Sequence, residues 1–252
     1  MRQAVLVLAV VFTASVGSRG SQGAQGSPAD GRADTVLAAA RKALGGEARQ
    51  ASVKTLTATG QTRQVRGDNL VPIVFTIDCE LPGKYVRTDE VPAQETGPNT
   101  VGFVDDVLIL RPVPPMPLAP AARATRLGGA KQDFARLMLG LFAQSYPAFP
   151  LTFGYAGQAE SPQGKADVLD MKGPANFAGR LFVYSDTHLP TMVTWQAGPA
   201  ENRLFFSDYR DVNGLQFPFR LRRAVGADTV EETTFDRFRL NGKIDPKRFA
   251  TE

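Results

Sequence analysis

Between residues 179 and 224 the chain reads GRLFVYSDTHLPTMVTWQAGPAENRLFFSDYRDVNGLQFPFRLRRA. Short runs rich in β-branched and aromatic residues alternate with clusters of Asp, Asn, Gly and Pro. That spacing predicts four antiparallel strands, near 180–185, 191–196, 203–210 and 215–222, joined by hairpin turns at 186–190, 198–202 and 211–214. Within the last run, Leu215, Phe217, Phe219 and Leu221 alternate with Gln216, Pro218, Arg220 and Arg222. This is the period-2 pattern of a strand with one buried face. A sheet with so aromatic a face cannot leave it in water. It must curl around helices, a second sheet or an apolar ligand.

The register of the last hairpin decides which residues join that face. Asp211-Val212-Asn213-Gly214 suits a type I turn with Gly in the left-handed position after it, which sets Asp211 opposite Leu215. Phe205, Ser207 and Tyr209 then share the face of Phe217, Phe219 and Leu221. A tight Asn213-Gly214 turn would instead put Asp208 and Arg210 among the aromatics. Burying an unpaired charge is costly, so the first register is expected.

The length of 252 residues, 43% of them hydrophobic, allows one large β-rich domain or two small ones. Arg2, an apolar run over 4–16 and small polar residues over 18–24 read as a secretory signal peptide occupying 1–24. The run falls short of the ~18 residues a spanning helix needs, which disfavours the alternative of a plain membrane anchor. No Cys lies near the cleavage region, so an exported, soluble product without a lipid anchor is expected. Residues 25–32, rich in Gly, Ser and Ala, read as a disordered linker, and 33–252 as a single domain.

Cys79 is the only cysteine, so no intramolecular disulfide forms. Its acidic neighbours Asp78 and Glu80 raise a thiol's pKa, which favours a structural role. The net charge of +4 is dispersed. The best cluster, Arg220, Arg222 and Arg223, reads as a solvated strand face, and the export signal argues against nucleic acid.

Taken in order, 34–44 reads as a helix with Asp34 as N-cap, a stripe of Val36, Leu37, Ala40 and Leu44, and Gly45-Gly46 at its end. Strands follow at 53–65, 73–81, 85–89 and 101–110; the last is apolar on both faces and is expected at the centre of the sheet. Five prolines within 112–120 exclude helix and inner strand and predict a stiff linker. It leads to an amphipathic helix over 131–143, with Phe134, Leu137, Met138, Leu141 and Phe142 on one face. Gly140 interrupts that helix at a cost of roughly 1 kcal/mol against Ala. This helix is the natural cover for the aromatic sheet, as core packing or as a mobile lid. Shorter strands at 151–154, 157–160 and 167–171, the four described above, and one at 229–240 complete the chain. The order suggests an α+β domain built on one continuous, curved antiparallel sheet.

The signal peptide followed by a short helix, the Asp186…Leu189-Pro190 turn, the Asp208-Tyr209-Arg210-Asp211-Val212-Asn213-Gly214…Pro218 hairpin and the terminal Asn241…Ile244-Asp245-Pro246…Phe249 stretch together resemble the LolA/LolB-type lipoprotein-carrier superfamily, especially its lipoprotein-sorting-like members. The resemblance implies an unclosed half β-barrel covered by helices, in which the carriers hold lipoprotein acyl chains and relatives bind other apolar ligands. Arg63 and Arg66 are candidates, by location only, for the arginine that links sheet to lid in the carrier. The Pro-rich arm at 112–120 departs from the carrier pattern, which favours the looser reading of apolar-ligand binding over lipoprotein transfer itself.

Little in the sequence points to bond chemistry. His188 is the only histidine; it lies in a turn near Ser185 and Asp186, and a triad needs convergence in space, not adjacency. One His and one Cys cannot make the usual zinc site. Asp105-Asp106 and Glu231-Glu232 are adjacent pairs whose side chains point to opposite faces of a strand. No catalytic residue, metal or cofactor is therefore expected. The expected function is that of a non-enzymatic, monomeric periplasmic protein holding an apolar ligand, the acyl chain of a lipoprotein or lipid or another apolar group, in its half-barrel cavity. Candidate cavity residues are Trp195, Phe205, Tyr209, Phe217, Phe219 and Leu221 from the sheet, with Phe134, Leu137, Met138 and Leu141 from the cover. The alternative is an envelope interaction module with a packed interior, engaging a protein partner or anionic lipid by peripheral contact through its basic face. A hydrolase resting on Ser185, Asp186 and His188 is a third reading.

Overall fold

The computed structural model describes residues 28–92, 94–161 and 164–251; the signal peptide at 1–24 lies outside the described residues. The chain begins with helices α1 (Pro28–Ala43) and α2 (Glu47–Ser52), then strands β1 (Thr55–Arg66), β2 (Asn69–Glu80), β3 (Lys84–Glu90), β4 (Asn99–Val104) and β5 (Val107–Arg111). Helix α3 (Pro120–Phe142) follows. Then come β6 (Thr152–Ser161), β7 (Gly164–Gly173), β8 (Phe177–Tyr184), β9 (Pro190–Ala197), β10 (Ala200–Val212), β11 (Leu215–Val225) and β12 (Asp228–Leu240), and a 3-10 turn over Pro246–Phe249.

All twelve strands join one antiparallel sheet in the order β5-β4-β3-β2-β1-β12-β11-β10-β9-β8-β7-β6. It is two hairpin meanders sewn together along β1 and β12. Strands β5 and β6 form the two edges, so the sheet is an unclosed half-barrel. Because β5 and β6 lie at opposite edges, the chain between them must cross the sheet, and α3 is that crossing. It packs against β4 and β5 at one end and β9 and β11 at the other.

α3 divides the core between its faces. Phe134, Leu137, Met138, Leu141 and Phe142 pack with Phe75, Phe103, Phe217 and Phe235 of one half of the sheet. Ala135 and Leu139 pack with α1 and with Leu169, Leu181, Val193 and Phe206 of the other half.

Several expectations are corrected. Residues 28–32 are helical, not a disordered linker: α1 starts at Pro28, where a missing N–H costs nothing, and Asp34 lies inside it rather than at its cap. α3 starts eleven residues before the expected boundary, at Pro120 rather than 131, because good helix formers run from Ala121 to Leu127. The expected central strand over 101–110 is a hairpin, β4 and β5, turning at Asp105 (φ 50°). Its second arm is an edge strand. Ile109 is buried on both counts because the C-terminal Phe249 packs beside it. Arg111 holds that segment by donating to the carbonyls of Lys247 and Arg248 (3.0 and 3.1 Å).

The β10–β11 hairpin takes the tight register: Val212 faces Leu215 and Arg210 faces Phe217. Asn213 (φ 56°) and Gly214 (φ 82°) both adopt left-handed backbone, as a two-residue type I′ turn requires. The charges that argued against this register find an outlet. Asp208 has φ 56°, and the strand kinks there. Asp208 and Arg210 pair with each other at the surface (2.6 Å), and the Arg210 guanidinium covers the Phe219 ring at 4.6 Å. The tight register sets Phe206, not Phe205, opposite Leu221 on the inner face. Beyond the kink Tyr209 joins that face, donating to the carbonyls of Pro190 (2.7 Å) and Gly140 (3.4 Å).

Candidate functional site: a cavity under α3

Inside the half-barrel, between the middle of α3 and strands β1–β4 and β10–β12, lies a cavity of about 620 Å³, within the roughly 300–1,000 Å³ usual for ligand pockets. Ala130, Asp133, Arg136 and Leu137 line it from one face of α3. Ile73, Ile77, Tyr85, Leu204, Leu221 and Phe235 line it from the sheet, with Trp195 at one side and residues of the β3–β4 loop, Gln94, Thr96 and Gly97, at the rim.

The cavity changes character along the strands. On β1 the inward residues are Leu56, Ala58, Gly60, Thr62, Gln64 and Arg66, apolar at one end and charged at the other. Neighbouring strands follow suit. Thr62 faces Thr233, which faces Leu221; one rung on, Gln64 faces Glu231, which faces Arg223. Successive inward residues are about 6.6–6.8 Å apart along a strand.

A polar network runs between these rungs. Arg87 Nη2 donates to Thr62 Oγ1 (3.2 Å), which shares a hydrogen bond with Thr233 Oγ1 (2.9 Å). Thr233 in turn donates to Glu231 Oε1 (3.5 Å), and Gln64 Nε2 donates to Glu231 Oε2 (3.5 Å). Arg87 pairs with Asp89 (2.8 Å) and lies over the Phe75 ring at 4.8 Å. Burial works against its charge more than any one neighbour supports it, but Asp89, Tyr85 and Glu231 together hold the guanidinium above its ordinary pKa. Arg136 pairs with Asp133 (2.6 Å) and stacks on the Trp195 indole at 4.1 Å. Tyr85, buried deeper, is pushed well above the usual phenol range by that burial.

Of the residues expected in the cavity, the structure places Trp195, Leu221 and Leu137 on its wall. Phe217, Phe219, Phe134, Met138 and Leu141 are buried in the packed core beside it. Tyr209 is anchored to α3 and packs in the other half of the core. Phe205 faces out of the half-barrel, under the Arg222 guanidinium at 4.0 Å. There it lines a second, outer groove of about 530 Å³ with Phe182, Tyr184, Met192 and Arg220. Arg66 stands at the rim of the inner cavity, whereas Arg63 pairs in register with Glu232 on the outer face.

Arg87, Arg136 and the β3–β4 loop were not anticipated; Arg66 was a candidate by location only, and Arg223, expected on a solvated strand face, lines the cavity instead. The readable signal was the inward row of β1, whose polarity rises two residues at a time.

Ser185 Oγ donates to Asp167 (3.3 Å) and accepts from Gln158 (3.5 Å), so its partners lie on β6 and β7 and not at His188. Burial raises the Cys79 thiol pKa, with Asp78 adding to the effect. Among the described residues, no helix is long and apolar enough to cross a membrane.

An open antiparallel half-barrel curled around a crossing helix defines a LolA-like fold. The chain is similar to a LolA superfamily protein from Nitrosomonas europaea, at TM-score 0.59 and 12% identity over 86% of this chain and 97% of that one. It is similar also to a domain from Vibrio parahaemolyticus described as an outer-membrane lipoprotein-sorting protein, at TM-score 0.56 and 13% identity over 85% and 95%. A DUF1329 family protein from Desulfovibrio piger matches at TM-score 0.52 and 9% identity over 86% and 97%. No protein-family model matches the chain, and no curated protein matches its sequence.

Proposed function

We propose that this protein is a non-enzymatic carrier of the cell envelope that holds an acyl chain, of a lipid or a lipoprotein, in the cavity under α3. One observation carries the reading: a cavity of about 620 Å³ persists inside the half-barrel although α3 already crosses it. The cavity opens to solvent at its polar rim, and a guest that displaces water from Ile73, Ile77, Leu137 and Phe235 takes apolar surface out of water. Burying apolar area at roughly 25 cal/mol per Å² drives capture without any bond chemistry. The export signal expected over 1–24 and the lipoprotein-sorting neighbour support a periplasmic site of action.

Uptake of a fluorescent fatty acid tests it. Leu204→Trp, which fills the cavity from a half-buried position, should abolish uptake. Phe205→Trp, on the outer face, should leave it intact. Equal uptake by both variants would remove the cavity from the function.

The outer groove favours a second reading. Arg222 stacked on Phe205 beside Phe182 and Met192 offers a basic, apolar surface to an envelope protein or anionic lipid. Salt-sensitive binding that survives Leu204→Trp but not Phe205→Ala would select it.

A further inference from the structure

We infer that the guest of the inner cavity is an amphiphile with an anionic head group, its chain on the apolar floor and its head at the rim beside Arg66 and Arg223. The inference rests on the acyl-chain reading above and adds the head-group class and the direction of insertion.

The direction follows from the strands. The inward rows of β1, β12 and β11 all become polar at the same end of the sheet, from Phe235 and Leu221 through the Thr62–Thr233 pair to Gln64, Glu231 and Arg223. A bare hydrocarbon gains nothing from such a gradient. An amphiphile matches it at every rung, because each end of the molecule meets surface of its own polarity.

The sign follows from the pairing of charges. Four arginines and three carboxylates line the cavity: Arg66, Arg87, Arg136 and Arg223 against Asp89, Asp133 and Glu231. Arg87 and Arg136 are matched at close range, 2.8 and 2.6 Å. The Arg223–Glu231 pair is loose at 3.8 Å, Arg223 Nη1 adds one long bond to Asn202 Oδ1 (3.5 Å), and among the described residues Arg66 donates only to the Gln64 amide oxygen (2.8 Å). These two guanidinium groups therefore keep donors to spare, and both line the polar end where the head would sit. A planar fork of N–H donors suits a phosphate or carboxylate.

Displacement of a bound fluorescent fatty acid by lysophosphatidylglycerol, lysophosphatidylcholine and monoacylglycerol of one chain length, and by glycerol phosphate alone, tests the inference. The anionic lysolipid should bind about tenfold more tightly than the other two lipids, and glycerol phosphate should not compete. In the Arg66→Gln/Arg223→Gln double variant, checked for native circular dichroism, that preference should collapse toward one. Equal affinities of the three lipids in the natural protein would overturn the head-group inference while leaving the acyl cavity standing. Competition by glycerol phosphate alone would overturn the coupling of head to chain. Failure of every lipid to displace the probe, or of the probe to bind, would instead sink the acyl-chain reading itself.

Discussion

The ring of Phe206 occupies the place where a side chain on Gly140 would stand: a Cβ built there would lie 2.3 Å from Phe206 Cε1. Gly140 sits in the last turn of α3, which ends at Phe142, and inside a helix Gly is less favourable than Ala by up to roughly 1 kcal/mol. Here it allows α3 to lie down on β10, with Tyr209 donating to the Gly140 carbonyl from the far side of the Asp208 kink.

Gly140→Ala should therefore destabilise the protein by about 1–3 kcal/mol, the range for overpacking a filled core, despite the gain in helix propensity. Urea unfolding measures this. A midpoint shifted upward would mean that α3 is free to lift away from the sheet.

The left-handed backbone at Asp208 is what reconciles the tight turn with its charges. Asp208→Val should cost about 1–3 kcal/mol, because a β-branched residue resists φ near +56°. Asp208→Gly should fall within about 1 kcal/mol of the natural protein, since only an exposed ion pair with Arg210 is lost. Thermal unfolding of the two variants side by side separates strain from charge.

Asp78 is buried on β2 and accepts from Arg248 Nε (2.7 Å) and from the Thr57 hydroxyl (2.9 Å). Arg248→Ala leaves that carboxylate short of its cation. Because Arg248 is partly exposed, the loss should lie at or below the lower end of the roughly 3–5 kcal/mol seen for buried pairs. Adding Asp78→Asn should recover part of it. A double variant as unstable as the sum of the single ones would show that the pair is not coupled.

Burial holds the Tyr85 and Tyr209 phenols, and the Cys79 thiol, above their ordinary pKa values. The unfolded chain releases these protons near pH ~8.5 for the thiol and ~10 for the phenols, while the folded one keeps them. The unfolded state then binds fewer protons, so stability present below those values falls as pH rises through them. Alkaline unfolding should coincide with the phenolate absorbance change of these tyrosines, and Cys79 should resist alkylation until that transition. A thiol alkylated in the native state at mildly alkaline pH would contradict the packing of β2.

The strands and the single curved sheet were legible because period-2 alternation and turn residues are local signals. The hairpin register was not. Excluding Asp208 and Arg210 from the aromatic face was sound for a flat strand, but one left-handed residue provided an escape that no pattern marks. Residues 101–110 misled for a related reason. Apolarity on both faces of β5 comes from Phe249, more than a hundred residues away, and reads identically to a central strand. The cavity was half legible: aromatic richness announced an interior to fill but could not separate packed Phe217 from the cavity wall at Trp195. Its charged end was written in the inward row Thr62, Gln64, Arg66, whose partners on β12 and β11 only topology supplies.

Native mass spectrometry of the mature protein purified from its own envelope, paired with lipid extraction, tests the central claim most directly. The predicted result is a bound acyl lipid or acylated peptide, released on denaturation and missing from Leu204→Trp. A bare polypeptide mass in the natural protein, with no uptake of added fatty acid, would contradict it and turn attention to the outer groove around Phe205 and Arg222.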